Sequence, residues 1–134
     1  MRLFKGKGEF KRSVSLTKDA RDGILTFCKM NHPNEGILVL RGKSRKGNIR
    51  IDGLVVPPFS ETGPAFAGFP HSFLPLDMSY VGVVHSHPGN SARPSLADLQ
   101  NFFGLISLIV KYPYEDDDIF AWDSGGREVE ISVI

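Results

Sequence analysis

Cysteine is almost missing from this chain. Cys28 is the single one among 134 residues, so no internal disulfide can form. Neither sign of charge prevails: 16 lysines and arginines stand against 15 aspartates and glutamates, for a formal net charge of +1. Such a balance supplies no field that would draw the protein to nucleic acid or to an anionic membrane, and neither is expected as a partner. No apolar run approaches the roughly 20 residues needed to span a bilayer; the longest, residues 105–110, is interrupted by Ser107. Residues 1–7, Met-Arg-Leu-Phe-Lys-Gly-Lys, lack the apolar core of a signal peptide, which makes the cytoplasm the expected location. Several catalytic signatures are missing too. There is no His-Glu-x-x-His helix, no glycine-rich phosphate loop and no Gly-x-Ser-x-Gly elbow, which leaves the corresponding chemistries without a carrier. Cys28 falls on the apolar face of an expected helix, where an inert buried thiol belongs, so cysteine-protease chemistry is disfavoured.

What the chain does have is concentrated. The stretch Val81-Gly82-Val83-Val84-His85-Ser86-His87-Pro88, followed by Ser95-Leu96-Ala97-Asp98, brings two imidazoles, a hydroxyl and a carboxylate close together. Alternation along a strand sends His85 and His87 to one face, where both can grip one ion, and Ser86 to the other, as support for the ligands or as packing. Pro88 stops the strand. Ser95 reads as the N-cap of a helix with Asp98 in its first turn. Three protein ligands, N, N and O, suit a zinc ion that keeps a fourth position open for water, the arrangement of a catalytic rather than a structural site. Taken singly the parts are weak: Ser-x-x-Asp is also a near capping box, and neutral histidines occur in many cores. Their coincidence carries the inference.

His85-Ser86-His87-Pro88 with Ser95 and Asp98 resembles the signature of the JAMM (MPN-type) metalloprotease family, whose best-known members cut ubiquitin from its targets. The family pattern also requires an upstream glutamate, and His32-Pro33-Asn34-Glu35-Gly36-Ile37-Leu38 resembles that segment. The resemblance implies one catalytic zinc held by His85, His87 and Asp98, with Glu35 moving the proton and Ser95 stabilising the oxyanion. Zinc would acidify its water towards a pKa of about 7, and a partly desolvated Glu35 would suit a group that accepts and then donates a proton. Without the downstream motif, Glu35 would read as a surface carboxylate, and capping alone accounts for Ser95. The implied substrate is the extended C-terminal tail of a ubiquitin-like modifier or a sulfur-carrier protein, joined by a peptide or isopeptide bond. The chain has only short connections where linkage-specific deubiquitinases carry insertions, so it resembles a minimal prokaryotic-type member. Two alternatives belong to other classes: a non-catalytic MPN-type scaffold module, and a DNA-repair-associated JAMM-related domain.

At 14.8 kDa the chain is expected to form one domain, residues 1–134, with a single core. The fold expected is mixed α/β, an MPN-type, cytidine-deaminase-like sandwich with a curved sheet flanked by two helices. Apolar spacing predicts a helix over residues 17–30, then strands over 35–41 and 48–56 joined by a basic turn at 42–47. Residues 57–70, rich in proline and glycine, predict an irregular loop and a wall for the substrate. A strand over 79–85, a second helix over 95–111 and a terminal hairpin of 118–123 with 128–133 complete the order α, β, β, β, α, β, β. His32 and His71 sit in expected loops as structural or solvent-facing residues, His71 bordering the substrate groove. The oligomeric state is not readable from the sequence.

Overall fold

The computed structural model describes residues 11–57, 60–64, 66–69 and 77–134. The chain runs β1 (Ser13–Leu16), α1 (Lys18–Asn31), β2 (Ile37–Arg45), β3 (Asn48–Val55), β4 (Glu61–Gly63), β5 (Phe66–Gly68), β6 (Tyr80–His87), α2 (Leu96–Gln100), β7 (Ile106–Lys111), a 3-10 turn at Asp116–Asp118, β8 (Ile119–Trp122) and β9 (Glu128–Val133). Thr17 starts α1 as its side-chain acceptor, taking the Ala20 N–H at 3.1 Å, and Asp19 sits in the first turn, where it complements the helix dipole. Among the described residues no helix is long and apolar enough to cross a membrane.

The fold is mixed α/β, with a sheet and two helices, as expected. Strands follow the order β1-β3-β2-β6-β7-β8-β9, and a parallel pairing of β1 with β9 closes the sheet into a barrel. β1–β3 and β6–β7 are also parallel, and the remaining pairs are antiparallel. Ala20, Ile24, Leu25 and Cys28 of α1 pack on one face of the sheet with Leu16, Leu40, Ile51, Val84 and Leu108. Each large aliphatic side chain buried there contributes about 1.5–3 kcal/mol. The opposite face carries two smaller clusters, Ile37 with Val39 and Val83, and Ala92 with Ile109 and Trp122. His85 and His87 belong to that second face, because they alternate with Val84 and Ser86 along β6.

Four expectations need correction. The helix expected over residues 95–111 ends at Gln100, and residues 106–111 form β7, parallel to β6. A central parallel strand is covered on both faces, so it reads as an unbroken apolar run that helical spacing can also fit. Gly104, at φ +81°, separates the two elements, and a Cβ there would meet the Val81 carbonyl oxygen at 2.6 Å. β1 was not expected, although Ser13-Val14-Ser15-Leu16 alternates between half-buried and buried positions. Residues 57–70 are not wholly irregular, since β4 and β5 pair antiparallel within them. The basic turn is also tighter than expected: the hairpin reverses at Lys46 and Gly47, φ 52° and 85°, the pair of left-handed residues that a two-residue turn requires.

Candidate metal centre

β6 carries both histidines between hydrogen-bonded neighbours: His85 lies opposite Ile37 of β2 and Ile109 of β7, and His87 opposite Lys111. Their rings meet edge to face with centroids 5.2 Å apart. His87 Nδ1 lies 3.1 Å from the Ser91 carbonyl oxygen. A ring N–H donated there turns the Nε2 lone pair inwards, the orientation that a metal-bound imidazole needs. His85 is almost wholly buried.

α2 supplies the carboxylate. Ser95 Oγ accepts the Asp98 N–H at 3.0 Å, and Asp98 Oδ2 accepts the Ser95 N–H at 2.8 Å, completing a capping box. The same carboxylate faces both imidazoles, with Oδ1 3.7 Å from His85 Nε2 and Oδ2 3.3 Å from His87 Nε2. The box therefore aims Asp98 as well as starting the helix. With its oxygen taken up as an acceptor, the Ser95 hydroxyl keeps its proton to donate.

Glu35 arrives from the turn between α1 and β2. Its N–H bonds to the Gly63 carbonyl at 2.6 Å, and the following Gly36 N–H donates to Ser86 Oγ at 2.9 Å. Ser86, completely buried on the α1 face, thus ties the glutamate segment to the strand that carries the histidines. Gly36 lets the turn lie close against α1, since a Cβ would meet Phe27 Cε2 at 2.6 Å and Asn31 Cγ at 3.0 Å and those side chains would have to shift. Glu35, His85 and His87 each offer a donor atom within 4.8 Å of the others, a group able to hold a metal ion. Asp98 lies outside that mutual set but reaches both imidazoles. Of the five residues singled out in the sequence, Glu35, His85, His87 and Asp98 come together here, and Ser95 joins them through its bonds with Asp98.

The electrostatics follow from burial and pairing. Burial holds His85 neutral, pushing its pKa down to about 4 against the pull of Asp98. For His87 burial also lowers the pKa, but the Asp98 carboxylate and the Ser91 carbonyl outweigh it and the net shift is upwards. Desolvation would raise Asp98, but its bonds to His87 and Ser95, and the charge that His85 acquires at the low pH where Asp98 titrates, outweigh it and bring Asp98 to about 2. Glu35 is raised, first by burial, with the His87 charge opposing and the Asp98 charge reinforcing. Cys28 is pushed up to about 12 by burial, so its thiol is no nucleophile at neutral pH. His71 and the remainder of the expected substrate wall at 58, 59, 65 and 70 lie outside the described residues.

Sequence reasoning missed one contact near the site. His32 Nδ1 lies 2.7 Å from Tyr114 Oη, a pairing across 82 positions that no local pattern announces.

Residues 17–125 match the prokaryotic homologs of the JAB domain. A probable metalloprotease from Haloferax volcanii is 35% identical over 141 aligned positions, covering 100% of this chain and 85% of that protein. Among solved structures, a JAB1/MPN domain protein from Archaeoglobus fulgidus superposes with a TM-score of 0.67 at 32% identity, covering 90% of this chain and 98% of the other. A structure described as JAMM, a metalloprotease-like zinc site in the proteasome and signalosome, gives a TM-score of 0.67 at 30% identity, covering 91% and 98%. From its histidine-bearing strand to its capped aspartate, this chain belongs to the prokaryotic JAB-domain family.

Proposed function

We propose that the protein is a zinc-dependent peptidase of the cytoplasm that cleaves the peptide or isopeptide bond after the C-terminal tail of a ubiquitin-like modifier or sulfur-carrier protein. The observation that carries this reading is the convergence of Glu35, His85 and His87 within 4.8 Å, with Asp98 against both imidazoles. The donor chemistry fits zinc: imidazole nitrogens and a carboxylate oxygen, with the His87 ring anchored from behind on Ser91.

His85, His87 and Asp98 are the residues that would hold the ion. Bound there, zinc supplies Lewis acidity, which acidifies water and polarises a carbonyl. Glu35 takes the proton of the attacking water and returns it to the leaving amine as the C–N bond breaks, a task suited to a carboxyl raised by burial. The Ser95 hydroxyl donates to the developing oxyanion. β4, whose Gly63 carbonyl holds the Glu35 backbone, borders this side of the site and forms part of the wall along which the tail is laid.

Metal analysis is the first test. The protein is expected to take up about one zinc per chain, and a folded preparation that lacks zinc and cannot be loaded with it sinks the proposal. Cleavage of ubiquitin-like conjugates by the wild type and by Glu35→Ala comes next. Equal rates would remove Glu35 from the mechanism.

A further inference from the structure

We propose that His32, Tyr112 and Tyr114 form a clamp that sets the position of Glu35 relative to His87, which makes His32 and Tyr114 positioning residues. The inference rests on the peptidase reading above. It starts where α1 ends. The His32 N–H bonds to the Cys28 carbonyl at 3.1 Å and caps the helix, and the chain reaches Glu35 within three residues. The His32 ring stacks on Tyr112, with centroids 4.7 Å apart and planes 24° from parallel, while its Nδ1 meets Tyr114 Oη at 2.7 Å. Tyr114 stands edge-on to both rings, at 5.5 and 5.6 Å.

The other end of the cluster touches the ligand strand. The Tyr112 N–H lies 3.1 Å from the His87 carbonyl and 3.0 Å from that of Gly89. A continuous path therefore runs from His87 through Tyr112 and His32 to the backbone of Glu35. Its members are not simply core: Tyr112 is 47% exposed and His32 is exposed, whereas Tyr114 is 1% exposed. Tyr114 also holds φ at +66°, a left-handed conformation that is unfavourable for a residue with a Cβ. Such a backbone persists where its surroundings over-determine it. Apart from this cluster, three bonds fix the glutamate segment on the β2 side: Glu35 N–H to the Gly63 carbonyl, Gly36 N–H to Ser86 Oγ, and Ser86 N–H to the Gly36 carbonyl. The clamp fixes the α1 side.

A base displaced by about 1 Å can lose about 10²-fold in rate. In the zinc-loaded protein, His32→Ala and Tyr114→Phe are each expected to lower kcat at least about tenfold, with KM and zinc content unchanged. The probe is a Gly-Gly-terminated β-grasp protein carrying a C-terminal fluorogenic amide. Tyr114→Phe keeps the buried ring, so folding is retained, and His32→Asn, which can still accept from Tyr114 Oη, should recover part of the loss. Amide hydrogen exchange gives a readout independent of activity: the Glu35 and Gly36 amides should exchange faster in His32→Ala while that of Leu108 in β7 does not change. Wild-type kcat in His32→Ala overturns the clamp. So does a fall in kcat without faster exchange at Glu35 and Gly36, or with equally faster exchange at Leu108. A wild type that binds zinc and cleaves nothing overturns the peptidase reading alone, and the exchange rates then decide whether the clamp holds Glu35.

Discussion

His85 and His87 ride on β6, which is hydrogen-bonded to β2 on one side and β7 on the other, whereas Glu35 and Asp98 sit on short segments held by a few individual bonds. Glu35 depends on Gly63 and Ser86, and Asp98 on its exchange with Ser95. The imidazole half of the site is therefore part of the barrel and cannot move without opening it. The carboxylate half is placed locally and can be disturbed while the barrel stands. Changes to the first half should register as stability, and changes to the second as zinc binding or rate.

The largest expected effect falls on the placed half. Glu35→Gln keeps the shape of the side chain and removes its capacity to take a proton, so kcat should fall about 10²–10⁴-fold. The melting temperature should hold, because the exchange removes a charge that burial disfavours. Steady-state kinetics beside a thermal scan checks both, and a large fall in melting temperature would place Glu35 in the rigid half instead.

Ser95 comes next and separates two roles on one atom. Glycine still serves as an N-cap at a cost of a few tenths of a kcal/mol, whereas alanine costs about 1 kcal/mol. Loss of an oxyanion donor raises the barrier by about 2.7–4 kcal/mol. Ser95→Gly should thus keep the fold and lose about 10²–10³-fold in kcat. If Ser95→Gly retains full activity while Ser95→Ala does not, the hydroxyl serves only the cap, and the backbone N–H at position 95 is enough to aim Asp98.

The rigid half is probed by Gly82→Ala. A Cβ at position 82 would lie 1.8 Å from the Ile106 carbonyl oxygen, so β6 and β7 would have to part near the start of the strand that carries both histidines. A loss of about 3 kcal/mol is expected in chemical denaturation, with zinc affinity falling in parallel. An unchanged midpoint would show that the strand pair yields, and the contrast between the two halves would dissolve.

How much of this was legible in the sequence follows the same division. The His85/His87 pair and the Ser95/Asp98 cap are written in local rules, the period of a strand and the bonds of a helix start, so their neighbourhood could be read directly. Glu35 lies far upstream and was reached through the family resemblance, since a glutamate before an apolar run is ordinary by itself. The run over 106–110 misled because burial on both faces erases the alternation that identifies a strand. β4 and β5 are three residues each, too short for any periodicity to register. The His32–Tyr114 bond is tertiary, created when the turn before β2 meets the segment after β7, and neither sequence segment signals it.

The smallest effect links the barrel to that cluster. Asp118 accepts from the Glu115 N–H at 2.8 Å and pairs with Lys111 Nζ at 2.9 Å, closing the turn that follows Tyr114. Burial alone would raise its pKa, but these bonds outweigh it and leave Asp118 below its ordinary value of 3.8. A carboxyl depressed in the fold binds fewer protons there than in the unfolded chain, so its contribution is present above pH 3.8 and fades as the pH falls below it. Asp118→Asn should therefore cost about 1–2 kcal/mol at pH 7, and the gap from wild type should narrow below pH 3.8. Denaturation curves at several pH values read the difference directly, and taking it between the two proteins cancels the titration of Asp98 and Asp123, which are depressed in the same direction. A gap that stays constant with pH would mean that the Asp118 charge is idle, and that packing, rather than the carboxylate bonds, holds the Tyr114 turn against β7.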